Sequence, residues 1–294
     1  DLALIDAMMP VLSPAGVQEI IDFGLLGYAL SRYAGVWVGL KCVHDTVESS
    51  AVVEAGPERV VPVLPKDHAL PPGGVSIRPN DDRVPQEERL HVHKIPAVKA
   101  FARVNPINRI VMKGGAAATL GIVAAGKAYL DVHQALDDLG IDEAHAAKLG
   151  IRLLKIGMVW PLEPAIVKRF AKNLDTIMVV EEKRSLIEAQ IRDILYADEL
   201  RPAIIGKSDE SGKTLFASHG VLEPNQIALA VASRIRDRAV SACAAALQSS
   251  AAAARNQADL VARVPYFCAG CPHNSSTVLP EGARGYAGIG CHWL

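Results

Sequence analysis

The chain has 294 residues, half of them apolar, enough to bury a core of about two ordinary domains without disulfide staples. Its 31 basic and 32 acidic residues leave no positive excess to hold a phosphate backbone, and a 5% aromatic content offers no stacking series, so nucleic acid is excluded as an expected partner. Five cysteines, three of them in the last 27 positions, are too few and too clustered for a secreted disulfide framework and point to a reducing cytoplasm.

In chain order, "SPAGVQEIIDFGLLGYALSRYAG" predicts a helix capped by Ser13, with Pro14 at its first position and a stop at Gly35. "VWVGLK" then reads as a short buried strand, and "LKCVHDTVESS" sets Lys41, His44, Asp45 and Thr46 just behind it, where α/β proteins often keep reactive groups. Residues 62 to 85 hold Pro62, Pro65, Pro71, Pro72, Pro79 and Pro85 with the Gly73-Gly74 pair, a boundary or extended excursion that no helix or central strand tolerates. "HVH" at 91 to 93 reads as extended, with two imidazoles on one side and no third ligand in view, so a surface histidine pair is the favoured reading.

From residue 118 the pattern becomes regular. "ATLGIVAAG", "IRLLKIGMVW" and "DTIMVVEE" read as strands, each followed by a helix: "KAYLDVHQALDDLG", "PLEPAIVKRFAKNL" and "KRSLIEAQIRDILY". This alternation argues an α/β fold with a parallel sheet covered by helices on both faces. "GIVAAGKA" imitates a phosphate-binding loop for seven positions, but Ala128 stands where the magnesium-holding hydroxyl belongs and Gly121 falls inside a strand. What remains is Gly126 at a strand-to-helix turn that could face an anion, and Glu181-Glu182 at a strand end, where a cleft or a solvated helix start are both open readings. Residues 225 to 262 look helical, and their alanine-rich run, interrupted by Ser and Gln, falls short of the roughly 20 apolar residues of a membrane span.

"PYFCAGCPHNSS" carries Cys268 and Cys271, and "GIGCHWL" carries Cys291 on a second glycine turn. A C-x-x-C turn brings two thiolates to one metal, with Gly270 supplying the backbone freedom, and a third soft ligand strengthens the reading. Zinc, with His273 or His292 as the fourth ligand, and an iron–sulfur cluster both fit this spacing, which does not choose between them. Pro272 breaks the C-x-x-C-H of haem attachment, and no preceding strand supports a thioredoxin-like disulfide.

"CAGCPHNSST" followed by "RGYAGIGCHW" resembles the opening of the diphosphate-binding domain of the thiamine-diphosphate-dependent 2-oxoacid:ferredoxin oxidoreductases, nearest to the large indolepyruvate-specific branch. Residues 10 to 50 resemble the end of that family's pyrimidine-binding domain, and the three strand-helix units resemble its transketolase C-terminal-like domain. The resemblance implies residues 1–60 as the end of the pyrimidine-binding domain and 61–108 as an extended linker or insertion. It implies 109–224 as the transketolase C-terminal-like domain, 225–262 as a helical alanine-rich linker, and 263–294 as the start of the thiamine diphosphate and iron–sulfur domain. The fold expected is thus a helix-covered parallel sheet flanked by partial thiamine-binding-fold segments.

By the same resemblance Cys268, Cys271 and Cys291 match three ligands of a [4Fe–4S] cluster whose fourth ligand lies outside the chain, and Gly270, His273 and Gly290 lie near the cluster or thiamine diphosphate. The family's reaction is oxidative decarboxylation of a 2-oxoacid, an arylpyruvate such as indolepyruvate, to an acyl-CoA, with coenzyme A as co-substrate and ferredoxin as electron acceptor. Magnesium and thiamine diphosphate require segments not present here. A homodimer is expected of the full-length protein, with no membrane partner. The chain begins at Asp1 and ends inside a glycine-cysteine turn, so it reads as an internal piece that is inactive alone. A zinc-stabilised binding module and a non-catalytic α/β scaffold are the rival readings.

Overall fold

The computed structural model describes residues 1–255 and 266–286. The chain divides into two compact units, Asp1–Leu247 and Gln248–Leu294. Among the described residues no helix is long and apolar enough to cross a membrane.

The first unit opens with α1 (Leu2–Asp6), β1 (Val11–Leu12), α2 (Val17–Ala34), β2 (Gly39–Leu40) and α3 (His44–Val47). Residues 48 to 82 form no regular element, as the proline density demands. A continuous helical stretch follows, comprising α4 (Arg83–Glu88), a π-helical segment (Arg89–Lys94) and α5 (Ile95–Val104).

The sheet region then runs β3 (Arg109–Met112), β4 (Leu120–Ala125), α6 (Gly126–Asp138), α7 (Glu143–Leu149), β5 (Ile151–Ile156), β6 (Met158–Trp160) and α8 (Pro164–Ala171). It continues through β7 (Thr176–Val180), α9 (Ile187–Tyr196), β8 (Ala203–Ile205), α10 (Pro224–Ala232) and α11 (Arg238–Arg255). In the second unit α12 (His273–Ser276) is a single turn.

Five strands form one sheet in the order β3-β5-β4-β7-β8. The last four are mutually parallel, and β3 is an antiparallel edge. This is the helix-covered parallel sheet that the strand-helix alternation predicts. Successive side chains of each strand point to opposite faces, so both faces must be apolar. Ile122, Ala124, Leu153 and Met178 pack with Val132 and Leu136 of α6 and with α10 on one face. Val123, Leu154, Ile177 and Val179 pack with Val167 and Phe170 of α8 and Ile191 of α9 on the other. Each such fully buried aliphatic or aromatic side chain contributes about 1.5–3 kcal/mol relative to exposure. Gly121 sits in mid-strand because a Cβ there would lie 2.4 Å from Leu174 and 2.8 Å from Phe170, so it belongs to helix-sheet packing and to no phosphate loop.

A smaller sheet, ordered β2-β1-β6, packs Leu12 and Met158 against Phe23, Leu26 and Leu30 of α2 and Phe101 of α5. The two sheets are joined at Gly157. "IRLLKIGMVW", expected as one strand, is two: β5 belongs to the large sheet and β6 to the small one. Asn108 Oδ1 accepts from the N–H of Gly157 at 2.9 Å and of Met158 at 3.0 Å, and the Gly157 carbonyl accepts from the N–H of Ser13 at 2.7 Å. These bonds consume the polar groups that a straight strand would have given to its sheet.

Other expectations shift in detail. The helix expected from Ser13 begins at Val17 with Gly16 as its N-cap, because Ser13 N–H is taken by Gly157 and Ala15 N–H by the Glu19 carboxylate at 2.9 Å. Its stop is Gly35, in the left-handed region at φ 65°. His91 and His93 lie in the π-helical segment rather than an extended one, and residues two apart on a helix do not face each other, so the paired imidazoles of the sequence reading are not formed.

One buried ion pair ties α2 to the large sheet. Lys155 Nζ, on β5, bonds the Glu19 carboxylate and lies 4.4 Å from the centroid of the Tyr129 ring. Burial pulls the Lys155 ammonium below its ordinary range, against the opposing pull of Glu19.

Gly157→Ala would place a Cβ 2.3 Å from the Ile107 carbonyl oxygen and 2.6 Å from Phe23, so urea denaturation should show a loss of about 1–3 kcal/mol or more. Glu19→Ala, which strands Lys155 as a buried unpaired cation, should cost about 3–5 kcal/mol, whereas the double change Glu19→Leu with Lys155→Met should recover most of that loss in the same melts.

Candidate functional site

Two places carry chemistry, one in each unit. In the second, Cys268 to Cys271 form a tight turn closed by the Cys271 N–H donating to the Cys268 carbonyl at 3.0 Å. Gly270 takes φ 79° at the third position, the left-handed value that a type II turn requires there. The Asn274 side-chain amide donates to the same Cys268 carbonyl at 3.0 Å, so one oxygen anchors the turn twice. His273 packs its ring on Phe267, with centroids 5.2 Å apart, and its Nδ1 lies 3.4 Å from Ser276 Oγ.

Neither cysteine is in a disulfide; Cys268 is exposed and Cys271 half-buried. Two free soft donors on one preformed turn suit a thiolate-ligated metal or cluster. Cys291 and Gly290, expected as the third thiolate and a neighbour of the cluster, lie outside the described residues, as does His292. Among the described residues no three His, Cys, Asp or Glu side chains converge on a common point.

In the first unit a cleft of about 550 Å³ opens at the carboxyl ends of β4 and β7. It gathers Lys41, Gly126, Glu181 and Glu182, which lie far apart in the sequence, together with Ser13, Lys127, Lys183 and Arg184. Of the group behind β2, Lys41 reaches the cleft, whereas His44 and Asp45 stand exposed on α3 and Thr46 is buried. The residue missed in the sequence is Ser13, whose position before a helix suggested a cap.

The electrostatics of the cleft follow from who holds whom. The Glu181 carboxylate accepts from the N–H groups of Leu186, Ile187 and Glu188 at 2.9 to 3.1 Å and so caps α9. Burial raises its carboxyl above the ordinary range, against the pull of those amides and of Lys207. Glu182 accepts from the Leu222 N–H at 3.1 Å and lies 4.0 Å from Lys127. Lys127 bonds Asp131 at 2.8 Å; burial lowers its ammonium, but Asp131, Glu182 and Asp45 together hold it above the usual value. Lys41 bonds Asp1 at 2.8 Å and is held below the ordinary value by burial, with Glu182 and Glu181 opposing. Lys183 donates to the Gly220 carbonyl at 2.6 Å.

Comparison with known proteins fits these observations. The indolepyruvate oxidoreductase domain family matches residues 110–258. Proteins named indolepyruvate oxidoreductase subunit IorA are similar over nearly the whole chain. That of Methanothermobacter marburgensis is 26% identical over 96% of this chain and 41% of its own length, and that of Methanothermobacter thermautotrophicus 27% identical over 92% and 39%. Among solved structures, 2-oxoglutarate:ferredoxin oxidoreductase from Magnetococcus marinus superposes with a TM-score of 0.49 at 15% identity, covering 78% of this chain and 42% of its own. The chain therefore spans about two-fifths of the length of the curated relatives it matches. Because the match covers just over half of its residues, the chain belongs to the indolepyruvate oxidoreductase domain family.

Proposed function

We propose that the chain is part of an indolepyruvate:ferredoxin oxidoreductase, a longer protein that oxidatively decarboxylates an arylpyruvate-class 2-oxoacid to its acyl-CoA. The observation that carries this reading is the preformed Cys268–Cys271 turn in a chain of this family. Cys268, Cys271 and Cys291 are three ligands of a [4Fe–4S] cluster, with the fourth supplied from elsewhere in the longer protein. Gly270, His273 and Gly290 border the cluster and thiamine diphosphate. Hydrogen bonds of the chain itself fix the backbone that carries the two cysteines, which lowers the ordering cost of binding.

Bound thiamine diphosphate with magnesium would supply the carbanion-stabilising chemistry and the cluster single-electron transfer. This chain's residues hold and orient. The doubly anchored Cys268 carbonyl fixes the turn, and amides beside the sulfurs would tune the potential of a bound cluster through hydrogen bonds. Coenzyme A takes the acyl group and ferredoxin the electrons, in a cytoplasmic homodimer. The domain division proposed is that of residues 1–60, 61–108, 109–224, 225–262 and 263–294, and the piece alone is inactive.

The test is anaerobic purification of the longer protein, with iron, sulfide and zinc analysis and a visible spectrum. A brown protein whose broad absorption bleaches on reduction, and which reduces ferredoxin only with a 2-oxoacid and coenzyme A, is the expected result. Cys268→Ser, Cys271→Ser and Cys291→Ser should each lower bound iron by at least about tenfold. A colourless protein with one zinc would identify a metal-stabilised binding module, and one with no metal a scaffold; either overturns the proposal.

A further inference from the structure

The cleft of the first unit lies where open α/β sheets bind ligands. β4 leads through α6 and α7 to β5 on one side, and its neighbour β7 leads through α9 to β8 on the other. The connections leave adjacent strand ends in opposite directions, and the space between them is a topological switch point. A volume of about 550 Å³ is in the range of small-molecule sites.

Two independent features of its wall point to the chemistry of an occupant. The first is the start of α6. Gly126, Lys127 and Ala128 line the cleft, and no side chain caps this 13-residue helix. Its first amides therefore present unsatisfied donors and the positive end of the helix dipole to the cavity. Helices α7, α8 and α9 by contrast have their first amides taken by Asp142, Glu163 and Glu181.

The second is Ser13. It is only 7% exposed, it lines the same cleft, and its hydroxyl makes no hydrogen bond among the described residues. A Cβ at Gly126 would sit 2.6 Å from Ser13 Oγ, which places the hydroxyl at the opening of α6. On a side chain otherwise buried, this unpartnered hydroxyl lines the cleft beside the uncapped amides, a donor available to an occupant.

The charged groups complete the picture. Lys41, Lys127, Lys183 and Arg184 face the cleft along with Asp1, Glu181 and Glu182. Glu181 is spent on the amides of α9, and Glu182 accepts from Leu222. Arg184 forms no ion pair or hydrogen bond among the described residues and is exposed at the rim. The remaining wall is apolar, built by Leu2, Val43, Val159 and Leu186.

We propose that this cleft is a binding site for a small oxyanion-bearing molecule, a carboxylate or phosphate carried on an apolar body, whose oxygens are received by the α6 amides and Ser13 Oγ. Arg184, without a partner among the described residues, draws the anion in, and the apolar wall receives its body. The site rests on geometry within Asp1–Leu247 and is independent of the reading of the cysteines.

Isothermal titration of the intact protein with phenylacetate and, separately, with inorganic phosphate tests this. Phenylacetate should bind with a Kd in the millimolar range or tighter. Ser13→Ala should weaken it roughly tenfold, because a hydrogen bond to a charged group is lost, while Ser13→Thr retains most of the affinity. Ser185→Ala, an exposed serine in the loop before α9 that does not line the cleft, should leave binding unchanged. Thermal melts of each variant separate loss of binding from loss of fold. Phosphate binding at least as tightly, with the same dependence on Ser13, would support the site with a free oxyanion as its ligand. Absence of binding by both probes, or binding indifferent to Ser13→Ala in a folded variant, overturns the proposal.

Discussion

The bend at Gly157 is the constraint on which the first unit depends. There the chain leaves the five-stranded sheet as β5 and enters the three-stranded sheet as β6, within a single residue. No side chain fits, because the Ile107 carbonyl and the Phe23 ring close on the position where a Cβ would stand. Asn108 receives the two amides that the bend frees, and Ser13 donates to the carbonyl it leaves. The N-terminal segment and the sheet are thus joined by hydrogen bonds at one point and by the Lys155–Glu19 pair beside it. Directional bonds at the bend choose the geometry, and apolar packing of α2 and α5 against Leu12 and Met158 stabilises it.

That join also makes the cleft. By holding Ser13 to Gly157, it brings β1 and the segment after β2 over the carboxyl ends of β4 and β7. A doubly wound sheet always leaves a crevice where its connections diverge. Here the crevice acquires a lid of residues from the start of the chain, and with them Lys41 and Ser13. The glutamates within it do structural work: one caps α9 and the other receives Leu222. Lys41, Lys127 and Lys183 are likewise held, by Asp1, Asp131 and the Gly220 carbonyl, which leaves Arg184 as the cleft cation without a partner among the described residues.

The cysteine turn follows a different logic. Its geometry is local: Gly270 permits the left-handed position, and Asn274, six residues after Cys268, secures the carbonyl. Little of it depends on the rest of the chain, which is why the spacing alone announced it. The family match over residues 110–258 and the relatives' alignment over nearly the whole chain agree with the resemblance read from the motif. Spacing of two sulfurs does not select a metal, a choice that belongs to a complete ligand set.

By itself the sequence determined whatever is decided within a few neighbouring residues. The alternation from Leu120 to Tyr196 specified helix-covered parallel strands, since strand and helix periods are written in consecutive apolar positions. Gly35 and Gly140 announced helix ends through the left-handed conformation that glycine accepts. Only the tertiary structure decided that β5 and β6 part company, that α2 starts at Val17, that the histidines at 91 and 93 sit on a π-helical segment, and that Ser13 faces the start of α6. The parting of β5 and β6, the start of α2 and the placing of Ser13 turn on hydrogen bonds or close approaches between residues tens to more than a hundred positions apart, and no local pattern of hydrophobicity records which distant amide a carbonyl will meet.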